Sequence, residues 1–199
     1  KYDPADATGM AHYLEHMLFK GTQTLGTRDY AAERPHLEAI DKYYEQLAQT
    51  QEAGKRDSLQ QLINAENIQA AQYAVPNEFT RLVNEMGGTD LNATTGWERV
   101  TYYNTFPADQ LERWLDLYAH RFQDPVFRLF QSELEVVYEE KNRAMDNFQY
   151  LIKKEFDGAF FQRHPYGKQT LIGKTEHLKN PSLNRMYEYF EEYYVANNM

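Results

Sequence analysis

Cysteine is absent from the 199 residues. No disulfide can form and no thiolate can hold a metal, so any metal would rest on His and carboxylate side chains. A chain without Cys suits the cytosol, the periplasm or an organelle equally. Positive charge is also in short supply: 21 Lys and Arg face 30 Asp and Glu, a formal net charge of −9. That balance argues against nucleic acid, or an anionic membrane surface, as the main partner. No apolar run approaches the roughly 18 residues that a membrane-crossing helix needs. There is no internal repeat and no low-complexity tract.

What is present is a globular composition, 42% hydrophobic and 15% aromatic, in a chain long enough for a sizeable core. Its most informative stretch is His12-Tyr13-Leu14-Glu15-His16. On a helix, His12 and His16 lie one turn apart on one face, and Glu15 projects to the same side. Two ring nitrogens can then hold one Zn²⁺, leaving the carboxylate to take a proton from water. The order H-x-x-E-H reverses the commoner H-E-x-x-H and marks the inverzincin peptidases. The bland alternative is a chance cluster on a solvated helix face, which six His in the whole chain make rare.

Around this stretch, periodicity predicts mostly helices. Thr8 is the expected N-cap of a helix over about residues 9–19, with Gly21 past its end. Between residues 30 and 75, the stripes Leu37, Ile40, Tyr44, Leu47 and Leu59, Ile63, Ala70, Tyr73 predict an antiparallel helical hairpin, with Gly54 as the stop between them. His36 on that hairpin reads as structural or solvated. A helix from Pro76-Asn77 to Met86 is closed by Gly87-Gly88. Residues 89–106 carry β-branched and aromatic side chains around Gly96, which predicts a β-hairpin or two neighbouring strands. A helix opening at Pro107 should bury Leu111, Trp114, Leu115, Tyr118 and Phe122, with His120 packing or capping. The longest helical run is expected from Phe130 to about Phe161, broken by a turn at 163–167. Asn180-Pro181-Ser182 should open a last helix through Met186, Tyr187, Phe190 and Tyr194.

The segment from Gly9 through the His/Glu motif to Met17-Leu18-Phe19-Lys20-Gly21-Thr22 resembles the zinc helix of the pitrilysin-type metallopeptidases. That family includes insulin-degrading enzyme and the mitochondrial processing peptidase. Further blocks follow in the family's order: Gly87-Gly88, Leu91-Asn92-Ala93-Thr94-Thr95, Thr101-Tyr102-Tyr103, residues 133–143, His164-Pro165-Tyr166-Gly167, Ile172-Gly173 and residues 193–199. The resemblance covers roughly residues 1–29 and 76–199. It implies a helix-rich α/β (α+β) half-domain, a mixed sheet flanked by helices, with residues 30–75 as an inserted helical hairpin. It also implies one Zn²⁺ per chain held by His12, His16 and Glu140, with Glu15 as general base and Glu133 as a second acidic residue supporting catalysis. Leu91, Asn92, Ala93 and Thr94 would form the edge that takes an extended peptide as an added strand. The interval from His16 to Glu140 exceeds the family's usual one by about the length of the hairpin, so an insertion there explains it. On a helical wheel Glu133 and Glu140 fall about 20° apart, whereas Glu139 turns about 80° away, toward solvent and Arg143.

The expected function is a zinc-dependent endopeptidase or oligopeptidase that cleaves extended peptides through a zinc-bound water activated by Glu15. The alternative is a catalytically silent homologue serving as partner or scaffold subunit. A simple metal-binding helical domain gives no reason for a carboxylate beside His16. Lys1 is not an initiator Met and the chain stops just after its last helix, so one incomplete metallopeptidase domain is expected over residues 1–199. A second homologous half, in the same chain or a separate subunit, would close over the site, and this segment alone should be inactive. The inserted hairpin resembles exported bacterial members of the family, which favours a periplasmic location.

Overall fold

A computed structural model describes residues 2–178 and 182–199. Among them are ten α-helices and one two-stranded antiparallel sheet, against which the helices Met10–Met17 and Glu78–Glu85 pack, a helix-rich α/β arrangement as expected.

The central element is α1 (Met10–Met17). Met10, Tyr13, Leu14 and Met17 recur three and four apart and bury one face in the core. They share it with Phe130, Leu134 and Val137 of α6 (Phe130–Met145) and with Met186 and Phe190 of α10 (Leu183–Tyr193). Each fully buried side chain of this size contributes about 1.5–3 kcal/mol. The Tyr13 hydroxyl adds a hydrogen bond to the Phe130 carbonyl (2.6 Å). The start of α1 departs from expectation, because its N-cap is Gly9 (φ 89°) and not Thr8. The Asp3 carboxylate accepts from the Gly9 and Ala11 N–H groups (2.7 and 3.1 Å), satisfying orphan donors of the first turn. Thr8 Oγ1 instead accepts from the Lys174 N–H (3.0 Å) and meets His177 Nδ1 (2.8 Å). A Cβ at residue 9 would stand 2.6 Å from the Ile172 carbonyl oxygen, so this left-handed, crowded position requires Gly.

Helices α2 (Tyr30–Gln49) and α3 (Ala53–Ala71) form the helical hairpin. Ile40, Tyr44, Leu47, Leu59, Ile63 and Ala70 are buried, as their periodicity predicts. The stop is not Gly54, which lies in the first turn of α3. Arg56 closes α2 instead, donating from Nη1 to the Leu47 and Thr50 carbonyls (2.7 and 3.0 Å). His36 Nδ1 meets Glu66 Oε2 at 2.6 Å and its ring stacks on Tyr73, so it ties the two helices together. A bridge between Thr27 and Ala74 closes the base of the hairpin. The hairpin is also part of the main core, since the Tyr44 ring lies 5.4 Å from that of Phe130.

Helix α4 (Glu78–Glu85) leads through Gly87 (φ 76°) into β1 (Thr89–Thr95), which pairs with β2 (Val100–Thr105). Ala93 stands opposite Tyr102 and Thr95 opposite Val100, with a slip in register between Thr89 and Asn92. The Gly96 N–H donates to the Arg99 carbonyl (2.8 Å) and closes the turn.

Helix α5 (Leu111–Gln123) buries a different face from the one expected. Leu111 and Leu115 are about half exposed (49% and 52%), while Leu117, Tyr118 and Arg121 are buried. His120 does not pack; it is exposed, 3.9 Å from Asp116. The run from Phe130 to Phe161 is two helices, not one. After α6, α7 (Phe148–Phe160) restarts at Asn147, whose side chain accepts from the Tyr150 N–H (3.1 Å). Short helices α8 (Pro165–Lys168) and α9 (Thr175–Leu178) follow. Ser182 caps α10 by accepting from the Arg185 N–H (3.3 Å), and Asn180 and Pro181, expected to open that helix, lie outside the described residues. No helix among the described residues is long and apolar enough to cross a membrane.

Candidate metal centre

The apolar face of α1 fixes its roll against α6, and its other face carries His12 and His16 with their rings 4.9 Å apart. Val137, fully buried, seats α6 in the same core. Glu140, almost one turn further on, then reaches both rings: its Oε2 lies 3.5 Å from His12 Nε2 and 3.5 Å from His16 Nε2. The three donor atoms fall within 4.8 Å of one another. Zinc–donor bonds of about 2.0–2.2 Å in a tetrahedron put neighbouring donors about 3.3–3.5 Å apart. The donor set and its spacing therefore fit Zn²⁺. Glu139 is exposed and meets Asn142 (3.4 Å) rather than Arg143.

The two imidazoles are held differently. His16 Nδ1–H donates to Glu133 Oε1 (2.9 Å), which leaves Nε2 to face Glu140. The other Glu133 oxygen pairs with Lys20 Nζ. His12 Nδ1 is buried with no hydrogen-bond partner among the described residues. Burial, reinforced by the neighbouring His16, holds the His12 pKa down to about 4, so this ring is neutral at pH 7. Burial also pulls on His16, but the Glu133 hydrogen bond and the charges of Glu140, Glu133 and Glu15 outweigh it and raise its pKa. Glu133 is itself partly buried, which pulls its pKa up, yet its bonds to His16 and Lys20 hold its carboxyl below the ordinary range.

Glu15 is buried at the floor of a cleft of about 510 Å³ that His12, His16, Glu133 and Glu140 also line. Its Oε2 accepts from Thr95 Oγ1 at the end of β1, and burial raises its pKa in spite of that bond. Leu91, Asn92 and Ala93 line the same cleft; Thr94 does not, and stands opposite Thr101 in the sheet.

The sequence model of one peptidase family, described as Insulinase (Peptidase family M16), matches residues 1–37 and 68–174. The chain belongs to this family. Its gap, 38–67, falls inside the α2–α3 hairpin. Among M16 relatives, an "Uncharacterized zinc protease" of Rickettsia felis is 22% identical over 201 residues, covering all of this chain and 36% of the relative. Mitochondrial-processing peptidase subunit beta of Dictyostelium discoideum is 23% identical over 204 residues, all of this chain and 32% of the relative. An insulin-degrading enzyme homolog from the same organism is 23% identical over 204 residues, 99% of this chain and 16% of the relative. The chain thus spans about a third or less of the length of these relatives.

Two contacts in this M16 site escape a reading of the sequence. Thr95 bonds to Glu15 across a wide sequence separation, and nothing local marks it. Lys20 follows His16 by the same four-residue step that separates His16 from His12, which is the one local hint that it shares their side of the chain.

Proposed function

We propose that this chain is part of the catalytic half of a zinc-dependent endopeptidase or oligopeptidase. The observation that carries the reading is the meeting of His12 Nε2, His16 Nε2 and Glu140 Oε2 at one point of a cleft that also holds Glu15. These three residues would hold Zn²⁺, which when bound supplies Lewis acidity toward a water and toward the scissile carbonyl. Glu15 takes the proton of the attacking water and hands it to the leaving amine. A carboxyl whose pKa is raised by burial is a stronger base than an ordinary one and still returns its proton. Thr95 holds that carboxylate at the end of β1, and Glu133 holds the His16 ring. One edge of β1 has no strand beside it among the described residues. An extended peptide can add there through main-chain hydrogen bonds, running past Leu91, Asn92 and Ala93 toward Glu15. A second half, in the same chain or on a separate subunit, would enclose that peptide; the greater length of the relatives supports this.

The test is zinc content and peptide cleavage in the full-length protein. About one zinc per chain is expected, and a chelator should abolish cleavage. Glu15→Gln should keep the metal and lose the activity, because the base is not a ligand. Protein that binds no zinc would remove the metal centre, and Glu15→Gln with normal turnover would remove the base.

A further inference from the structure

We propose that Lys20 is a positioning residue of the metal centre, acting on His16 through Glu133; the inference rests on the zinc-peptidase reading above. Glu133 divides its two oxygens, Oε1 to His16 Nδ1 and Oε2 to Lys20 Nζ. A carboxylate anchored at both oxygens has one orientation, and that orientation fixes the ring it bonds. Hydrogen bonds of this kind to the far nitrogen of a ligating His set its tautomer and its aim. Lys20 is in turn held at its backbone. Its N–H donates to the Met17 carbonyl (3.0 Å), and its carbonyl accepts from Arg128 Nη1 (2.7 Å). Arg128 is buried against Glu33 and is not free to move away. The ammonium therefore reaches Glu133 from a fixed base.

An exposed ion pair would carry little weight. This one is mostly covered, with side-chain exposures of 20% for Lys20 and 13% for Glu133, and both residues line the cleft of the metal ligands. The asymmetry of the site gives Lys20 its importance. His12 Nδ1 has no such partner, so the Lys20–Glu133 pair is the support from outside the donor set that the imidazoles have among the described residues.

The sign of the effect separates this role from plain electrostatics. A cation near the site repels a second cation, so removing the charge alone would tighten zinc binding. Loss of positioning weakens it, and disrupting contacts behind a metal ligand typically costs about 10–100-fold in affinity. The experiment measures zinc affinity by chelator competition on the full-length protein, with a thermal melt to verify folding. Lys20→Met should bind zinc about tenfold more weakly, and Lys20→Arg, which keeps a donor to Glu133, should stay close to the parent. In a Glu133→Gln background Lys20→Met should add almost nothing, because Lys20 acts through Glu133. If Met at this position prevents folding, Lys20→Ala, which also removes the donor to Glu133, carries the same expectation. Unchanged or tighter zinc binding in Lys20→Met overturns the inference, as does a loss that multiplies with that of Glu133→Gln. A parent protein that binds no zinc would instead bring down the zinc-peptidase reading itself, and this inference with it.

Discussion

Glu33 Oε1 accepts from Arg128 Nε at 2.9 Å, and both side chains are buried. Arg128 also donates to the carbonyls of Lys20, Thr22 and Leu25 (2.7, 2.7 and 3.0 Å), so one guanidinium joins α2 to the loop that follows α1. Removing one partner of a buried ion pair leaves the other charge uncompensated, at a cost of about 3–5 kcal/mol. Glu33→Gln should therefore lower stability by about that amount in denaturant unfolding, without removing a metal ligand. A change under about 1 kcal/mol would mean that the three carbonyls alone suffice for Arg128.

The same pair sets where the helical hairpin can be cut. Replacing residues 30–75 removes Glu33 and should prevent folding. Replacing only 38–67, the stretch the family model passes over, retains it. His36 and Glu66 touch, so the helices are close at that level and a short Gly/Ser linker can span them. The shorter excision should keep zinc while lowering the melting temperature, because Phe130 loses the Tyr44 ring. Zinc lost from a folded short-excision variant would make the hairpin part of the metal centre.

Helical spacing makes His12, Glu15 and His16 legible in the sequence, because four residues close one turn wherever the helix lies. Glu140 and Glu133 become visible through resemblance and the wheel, since no local rule links them to α1. The break between α6 and α7 leaves a weaker trace: Asn147 is a good N-cap, but the helical pattern resumes directly after it. Arg121 stays hidden for a different reason. Counting apolar residues along α5 selects Leu111 and Leu115, and a buried guanidinium contradicts the assumption behind the count. Thr95 and Lys20 act through partners far away in sequence, which a single chain does not reveal.

Glu140 and Glu139 are separated by substitution. Glu140→Gln should lose most of the zinc, because Oε2 is the atom that faces both imidazoles. Glu139→Gln should keep zinc and activity, its side chain being exposed beside Asn142. Zinc stoichiometry by atomic absorption decides, and the reverse pattern would mean that α6 is turned by one residue.

Zinc affinity should fall on acidification with the dependence of a single histidine. Only neutral imidazole binds the metal. His12, held near a pKa of about 4, is already neutral across mildly acid solution, whereas His16 retains its proton to a higher pH than usual. As pH falls through the raised His16 pKa, affinity should drop about tenfold per unit until His12 begins to titrate. Glu133→Gln removes the main cause of the raised pKa and should move this fall to lower pH. A two-proton slope near pH 6 would contradict the asymmetry of the pair.

Asp41 on α2 should make stability depend on pH in the opposite sense to a carboxylate whose pKa an ion pair holds down. Burial first, then the charges of Glu45 and Glu38, push its pKa up to about 7 from the usual 3.8. Between about pH 4 and 7 the folded protein keeps a proton that the unfolded chain gives up. Asp41 thus contributes a loss of stability as pH rises through that window, levelling off above about 7. Asp41→Asn removes the contribution. Compared with the variant, the parent should be relatively more stable at pH 5 than at pH 8, as read from urea unfolding at both. A parent-minus-variant difference that does not change with pH would place Asp41 in ordinary solvent.

Arg121 gives the sharpest contrast between charge and shape. Its guanidinium carbon lies 3.6, 4.4, 4.8 and 5.0 Å from the ring centroids of Phe79, Phe19, Tyr118 and Tyr102. None of its three nitrogens has a hydrogen-bond partner among the described residues. Cation–π attraction to four rings opposes the cost of burying the charge, and each contact is worth about 0.5–2 kcal/mol. That sum is of the same order as the several kcal/mol of effective desolvation for a buried ion. Filling the cage with an apolar side chain of similar length should then change stability little, so Arg121→Met is expected within about 1.5 kcal/mol of the parent. Arg121→Ala leaves a cavity between Phe79 and Phe19 and should cost about 2–5 kcal/mol. Because Phe19 and Phe79 also line the metal cleft, Arg121→Ala should raise KM for an extended peptide while leaving zinc content intact. If Met costs as much as Ala, the charge itself and not the filled space holds the four rings together.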